Sequence, residues 1–401
     1  MHETIKAVRL EHIREAESES RKLFTLSNAE ITCAFHESFP EYQPTPLINL
    51  ANLAHELGVN SFYVKDESYR FGLNAFKSLG GSFCLGKYIA EKLECNISEL
   101  SYEKITSPDI KSKLGEITFV TATDGNHGRG IAWAANRLGH KAVVYMPSGT
   151  VAERLNNIRK LGADASITEF NYDNKVRFAA ESAKKFNWVL VQDTSWPGYE
   201  KIPGWIMQGY LTMALESVQQ LEGVVPTHIF LQAGVGSMAG ALAAFFADYY
   251  RDNKPLITII EPNKADCIYR TARANDGTLH TVKGSMSTIM AGLACGEPCT
   301  IAWDMLRRYA EVYISMPDYV AAKGMRILGN PSGSDTRIIS GESGASTSGF
   351  VCELMQNESL DYLRELIKID SDSKILCFST EGDTDRKNYY NIVWDGLYPS
   401  F

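Results

Sequence analysis

Cysteine is scarce in this sequence, and it has no basic block and no long hydrophobic run. Its 8 cysteines among 401 residues stand singly, as Cys33, Cys84, Cys95, Cys267, Cys295, Cys299, Cys352 and Cys377. That density is far below a secreted disulfide scaffold's, so reduced, mostly buried thiols are expected. Cys295 and Cys299 form a lone CxxxC with no second pair at zinc spacing, so no metal is assigned. A bridge between Cys267 and Cys295 stays open at this point. Lys plus Arg is 40 against 48 Asp plus Glu, a net charge of −8. That balance argues against a nucleic-acid or anionic-membrane partner. The longest apolar stretch, MAGALAAFFADYY, stops short of the ~20 residues a bilayer span needs. The opening MHETIKAVRLEHIREAESES lacks the apolar core of a signal peptide, so the expected compartment is the cytoplasm.

What is present is ordinary for a globular protein: 44% apolar and 22% charged residues. At about 150 residues per domain, the length predicts two or three lobes. Residues 1–40 are charged and read as an N-terminal arm. TPLINLANLAHELGVN, residues 45–60, reads as a helix with Leu47, Leu50, Leu53 and Leu57 on one face and Gly58 at its C-cap. From SFYVKDE onward, apolar strand-like runs alternate with helical patterns at short spacing, apart from a polar loop at 96–115 and an irregular segment at 194–204. That alternation predicts an α/β protein with mostly parallel sheets covered by helices on both faces. Residues 41–81 and 197–401 are expected to form a large lobe, and 82–196 a small one.

Two strand-to-helix turns carry chemistry. Gly234-Val235-Gly236-Ser237-Met238-Ala239 fits G-x-G-x-x-A after an apolar strand. Its backbone N–H groups can approach an anion, and the helix start adds partial positive charge. With Glu261 ending the next strand, the segment also reads as a dinucleotide fingerprint, and hence as a nicotinamide-dependent oxidoreductase. The second turn, Thr123-Asp124-Gly125-Asn126-His127, could hold a carboxylate, or its Asp124 and Asn126 could be plain helix caps. Two anion-ready turns in separate lobes point to a ligand with two anionic ends. Lys77 lies in GLNAFKSLGG, among small, uncharged and aromatic neighbours. Burial there would lower its pKa, as a nucleophilic lysine requires.

NAFKSLGG, TDGNHG, AGVGSMAG and STEGD occur in the order seen in fold-type II pyridoxal-phosphate enzymes, which the chain resembles over roughly residues 40–390. KDESYRFGLNAFK, TATDGNHGRG, VQDTSW, KADCIYR, IMAGLACGEP and IISGESGA look more closely like the diaminopropionate ammonia-lyase family. This combination displaces the dinucleotide reading, which has no use for Lys77 or TDGNHG. The resemblance implies a two-lobed enzyme, commonly dimeric, in which Lys77 bonds covalently to pyridoxal 5'-phosphate. Gly234, Val235, Gly236, Ser237 and Met238 would hold the phosphate, and Asn126 the ring oxygen. Ser379, or else Thr380, would face the pyridine nitrogen. A hydroxyl there leaves that nitrogen largely unprotonated, which suits prompt expulsion of a β-leaving group. Thr123, Asp124, Gly125, Asn126 and His127 would hold the substrate carboxylate. Asp124 stands where dehydratases usually carry Ser, and a carboxylate can pair with a second ammonium on the substrate. Asp193 is the other carboxylate singled out. The implied reaction is α,β-elimination of 2,3-diaminopropionate to pyruvate and two ammonia, with Lys77 and Asp124 as bases on opposite faces. The alternative on the same scaffold is a serine/threonine dehydratase.

Overall fold

A computed structural model describes residues 4–10, 18–123, 125–150, 152–169 and 172–400. The chain divides into two compact units, one of residues 1–26, 44–75 and 213–401, the other of 27–43 and 76–212.

The first unit is built on a seven-stranded sheet. Its strands are β1 (Lys6–Arg9), β2 (Leu47–Asn49) and β3 (Ser61–Asp66). The second unit supplies β4 (Thr118–Ala122), β5 (Lys141–Met146), β6 (Asp164–Ile167) and β7 (Val189–Leu190). The first unit continues with β8 (His228–Gln232), β9 (Leu256–Pro262), β10 (Val312–Met316) and β11 (Lys374–Ser379). The seven strands run in the order β1-β10-β9-β8-β11-β3-β2. The five inner strands are parallel and the two edges antiparallel. β8 and β10 are buried at every position, so they read as continuous apolar runs and not as alternation. Helices Glu342–Gln356 and Cys267–Ala274 pack on this sheet, and its core gathers Phe62, Val64, Phe230, Ile314 and Phe350.

The second unit has a parallel four-stranded sheet in the order β6-β5-β4-β7. Val120, Ala122, Val143, Ala179 and Ala183 form its core. Both sheets contain a reversal of strand order. In the first, the chain builds outward from β8 through β9 and β10 on one side, with β11 on the other. In the second, β5 and β6 lie on one side of β4 and β7 on the other. Open parallel sheets bind ligands beyond the carboxyl ends of the strands at such a reversal. The four strand ends concerned lead into Gly234–Met238, Ser379, Thr123–His127 and Asp193.

Several expectations need correction. Residues 1–40 are not an arm apart from the body. Lys6–Arg9 pairs antiparallel with β10, and Leu26–Glu37 is a helix that buries Cys33, Phe35 and His36. Residues 27–43, 76–81 and 197–212 fall in the second unit, outside the lobe boundaries expected from sequence. Leu47–Asn49 is an edge strand on β3, because its backbone groups pair there. The helix starts only at Ala51, ending at Gly58 with a left-handed φ of 68°. The polar stretch 96–115 holds three short helical turns, two of them started by Ser101 and Ser107 caps. Among the described residues no helix is long and apolar enough to cross a membrane.

Candidate active site

Lys77 opens the helix Lys77–Lys92. Its flanking glycines are required by close packing. A Cβ at Gly130 would come within 2.8 Å of the Lys77 carbonyl oxygen, and one at Gly80 within 2.7 Å of the Tyr210 ring. Lys77 Nζ donates to Asp193 Oδ2 at 2.6 Å, with side chains 17% and 12% exposed. The ammonium is therefore shielded from water and paired with the Asp193 carboxylate.

His127 Nε2 lies 3.0 Å from the Val191 carbonyl oxygen. A carbonyl can only accept, so Nε2 carries the proton. Burial lowers the His127 pKa, which keeps the ring neutral and leaves Nδ1 unprotonated 3.8 Å from Asp193 Oδ2. Burial alone would raise the Asp193 carboxyl, but His127 and Lys77 together hold it well below the usual carboxylate range. With the imidazole neutral, the Lys77 ammonium is the charge that does this. His127 is thus a buried brace on the strand leading to Asp193.

The turn after β4 is shaped by Thr123. Its Oγ1 accepts from the N–H groups of Gly125, at 3.1 Å, and Gly128, at 3.3 Å. The helix Asn126–Arg137 begins after Gly125, whose own side chain offers no cap, and a helix start of this kind favours an anion. Asn126 Oδ1 accepts from Arg129 at 3.4 Å. Asp124, expected as a base, lies outside the described residues.

In the first unit, the 14-residue helix Ser237–Tyr250 also starts without a side-chain cap. Gly236 precedes it at φ +93°, and a Cβ there would meet Ile268 Cδ1 at 2.7 Å. A Cβ at Gly234 would lie 3.1 Å from Cys295 Sγ. At Gly234 and Gly236 the backbone therefore packs closely against side chains behind it, leaving no room for a Cβ. At the end of β11, Ser379 Oγ donates to Ser340 Oγ at 2.7 Å, and both serines are fully buried. Thr380 Oγ1 accepts from Gln232 Nε2 at 2.9 Å. A glycine-rich N–H cradle with a hydroxyl pair at the neighbouring strand end suits pyridoxal phosphate: donors for the phosphate, and a neutral group for the ring nitrogen.

The dinucleotide reading loses its acid here. Glu261 is fully buried and accepts from Ile268 N at 2.9 Å and Tyr269 N at 2.6 Å, so it caps a helix and is closed to a ribose. All eight cysteines are free thiols, Cys267 and Cys295 included. Glu381 accepts from Ser343 N, Asp383 from Asn74 and Asp385 from Asn388 N, which gives each acid of that loop a structural partner. Sequence reading assigned SGESGA no role. Ser340 meets Ser379, and Ser343, in the first turn of the next helix, donates its N–H to Glu381. Gln232 was missed altogether, although a lone glutamine closing an apolar strand just before a glycine turn is a visible signal.

The chain matches the model of the family "Pyridoxal-phosphate dependent enzyme" over residues 39–360. It is 52% identical over 367 residues to the diaminopropionate ammonia-lyase of Salmonella typhimurium, covering 90% of this chain and 91% of that one. Its fold is similar to the crystal structure of the Escherichia coli diaminopropionate ammonia lyase in complex with D-serine. The TM-score is 0.91 at 45% identity, covering 99% of this chain and 98% of that one. The same Escherichia coli enzyme with an aminoacrylate-PLP azomethine reaction intermediate superimposes with a TM-score of 0.90 at 46% identity, covering 98% of each chain. A lysine paired with a buried carboxylate, an uncapped glycine cradle and these similarities over nearly the whole length agree: the chain belongs to the diaminopropionate ammonia-lyase family of pyridoxal-phosphate dependent enzymes.

Proposed function

We propose that this enzyme converts 2,3-diaminopropionate to pyruvate and two ammonia by α,β-elimination. The observation that carries the reading is the 2.6 Å contact of Lys77 Nζ with Asp193 Oδ2. Pyridoxal phosphate, when bound, supplies an electron sink for the charge left at the α-carbon. Gly234, Val235, Gly236, Ser237 and Met238 hold its phosphate through N–H groups. Asn126 bonds its ring oxygen, and Ser379 or Thr380 answers its ring nitrogen.

The rest of the chemistry belongs to this chain's side chains. Lys77 would hold the cofactor, and its free amine takes the α-proton on one face. Asp193 stays ionised, because its pKa is held down, and so it stabilises positive charge on the Lys77 nitrogen as the proton arrives. The turn Thr123–His127, whose Gly125 N–H is held by Thr123 Oγ1, would hold the substrate carboxylate through the start of its helix. Asp124 pairs with the β-ammonium and serves as the base on the opposite face. Only the ammonium-bearing substrate uses that carboxylate fully, which sets this reading apart from serine or threonine dehydration.

The test is an absorbance spectrum of the purified protein before and after diaminopropionate, with pyruvate and ammonia assayed beside it. A bound-cofactor band that changes on addition, with two ammonia per pyruvate, supports the reading. Faster turnover of serine or threonine would replace it with the dehydratase. In Lys77→Ala the covalent cofactor band should disappear, and an unchanged spectrum would remove Lys77 from its role. We further place the enzyme in the cytoplasm as a homodimer. The absence of a membrane-crossing helix among the described residues and the dimeric habit of the superfamily support this.

A further inference from the structure

We propose that Tyr199 and Gln192 are positioning residues that hold the Asp193 carboxylate against Lys77. The proposal rests on the role given to Asp193 above.

β7 is only two residues long, and its regular pairing with β4 ends at Leu190 opposite Val120. One more ladder bond follows, from Val191 N to Val120 O at 2.9 Å. Side chains then take over. Gln192 Nε2 donates to the Ala122 carbonyl at 2.9 Å, and Oε1 accepts from Ala122 N and from Thr121 Oγ1, each at 3.2 Å. The amide so pairs with β4 as a backbone residue would. On the other side, Gln192 N donates to the Tyr199 hydroxyl at 2.9 Å, and that hydroxyl donates to the Leu190 carbonyl at 2.9 Å. Together with His127 on the Val191 carbonyl, these bonds pin the strand up to the residue before Asp193.

The segment that returns Tyr199 is the irregular stretch left unexplained by sequence. Trp196-Pro197-Gly198-Tyr199 closes a turn by a bond from Tyr199 N to Trp196 O at 2.8 Å, with Gly198 at φ +87°. Pro followed by a glycine of positive φ is the signature of a type II turn. The Tyr199 ring stacks on Trp196 at 4.3 Å, which fixes where the hydroxyl points. Burial pushes the Tyr199 pKa well above its usual value, so the proton it donates to Leu190 stays in place. Without this frame Asp193 would sit at the end of a short, frayed strand, where its own two torsions could not secure a single 2.6 Å contact.

The experiment compares the holoenzymes of Tyr199→Phe, Gln192→Glu and Asp193→Asn with the parent. Tyr199→Phe keeps the stack on Trp196 and removes only the hydroxyl. Misplacing a catalytic group by about 1 Å can cost on the order of a hundredfold, so kcat should fall roughly tenfold or more while KM stays within about twofold. A nearby carboxylate favours the protonated form of the nitrogen that Lys77 contributes. The pH midpoint of the bound cofactor's visible absorbance should therefore fall in Asp193→Asn, and fall by a smaller amount in Tyr199→Phe. Gln192→Glu loses the donor to Ala122 and should act in the same direction. It decides the matter should Tyr199→Phe fail to fold. Parent-like kcat and midpoint in the frame variants, with both altered in Asp193→Asn, would overturn the proposal and leave Asp193 its role. A fall in kcat with an unmoved midpoint would also overturn it, since the loss would then be general. Parent-like behaviour of Asp193→Asn would remove the reading on which the proposal rests.

Discussion

Gln232 donates one side-chain amide to three acceptors: Thr380 Oγ1 and the Phe378 carbonyl at 2.9 Å each, and the Ser343 carbonyl at 3.2 Å. Through these bonds the end of β8 is tied to the end of β11 and to the start of the helix Glu342–Gln356. These are the two strand ends between which the sheet reverses its order, so the elements proposed above to hold the phosphate and to answer the ring nitrogen are braced by a single residue. Replacing Gln232 with Leu keeps the bulk but removes all three bonds at a site 2% exposed. Buried groups left without a partner cost about 1–3 kcal/mol. The variant should melt several degrees lower and bind pyridoxal phosphate more weakly. Thermal melts of the apo and loaded protein, with cofactor titration by absorbance, check both. A parent-like affinity for the cofactor would confine Gln232 to stability alone.

The two-base reading proposed above predicts an isomer-dependent loss. A positioned base contributes about 10²–10⁴-fold to a proton transfer. Asp124→Asn should lose more activity on D-diaminopropionate than on the L-isomer, because Lys77 remains on its own face. Initial rates on the two pure isomers decide it, and equal loss on both would remove the assignment of separate faces.

The parts of this site that could be read from sequence are those whose chemistry is local. Gly236 announces a backbone turn because no other residue readily accepts φ +93° so close to Ile268, and at Gly234 a Cβ would crowd Cys295. Lys77 stands out by its uncharged neighbours. Asp193 came only from family resemblance, since a lone Asp at a strand end usually caps a turn. Gln192 and Tyr199 were invisible for a different reason, and Gln232 showed only its place at the end of an apolar strand. Gln192 and Gln232 each bond the backbone of a strand that is not consecutive in the chain, and Tyr199 folds back on the open edge of β7, so these roles exist only once strand order is known. Lys6–Arg9 was missed because four half-exposed residues at a sheet edge carry no apolar alternation. Leu47 and Leu50 share helical spacing by chance, and pairing with β3 outweighed it.

Acid stability should depend on Glu216. It accepts from Lys65 Nζ at 2.6 Å and from both Arg70 nitrogens at 2.7 Å, and Arg70 also holds Glu67 at 2.8 Å. All four charges are buried. Burial alone would raise the Glu216 carboxyl, but Arg70 and Lys65 more than offset it and bring it from 4.5 down to about 2. A depressed acid contributes stability that is full above its unfolded pKa and is lost as pH falls through the folded one. The loss should therefore run from about pH 4.5 to about 2. Glu216→Gln removes one charge from a matched set, which costs about 3–5 kcal/mol when a buried partner is left alone. Denaturant midpoints for parent and variant should differ most at neutral pH and converge toward pH 2. A gap that holds constant on acidification would mean that Glu216 is neutral in the folded protein.

The opposite sign is expected at Glu342. This residue begins the helix behind Ser379, is 6% exposed and takes a hydrogen bond from the Asn388 amide. Burial first, and then repulsion from Glu381, raises its carboxyl from 4.5 to about 7. The folded protein thus holds a proton there that the unfolded chain has already released. Stability should fall as pH rises between about 4.5 and 7 and level off above that, because the charged form must be kept in a dry, like-charged setting. At 1.36 kcal/mol per pKa unit, the cost at pH 8 is on the order of 3 kcal/mol. Glu342→Gln keeps an oxygen for Asn388 and carries no charge at any pH. The variant should match the parent near pH 4 and exceed it in melting temperature at pH 8. A variant that is less stable than the parent at pH 8 would show that the ionised carboxylate is what Asn388 and the helix start are built to hold.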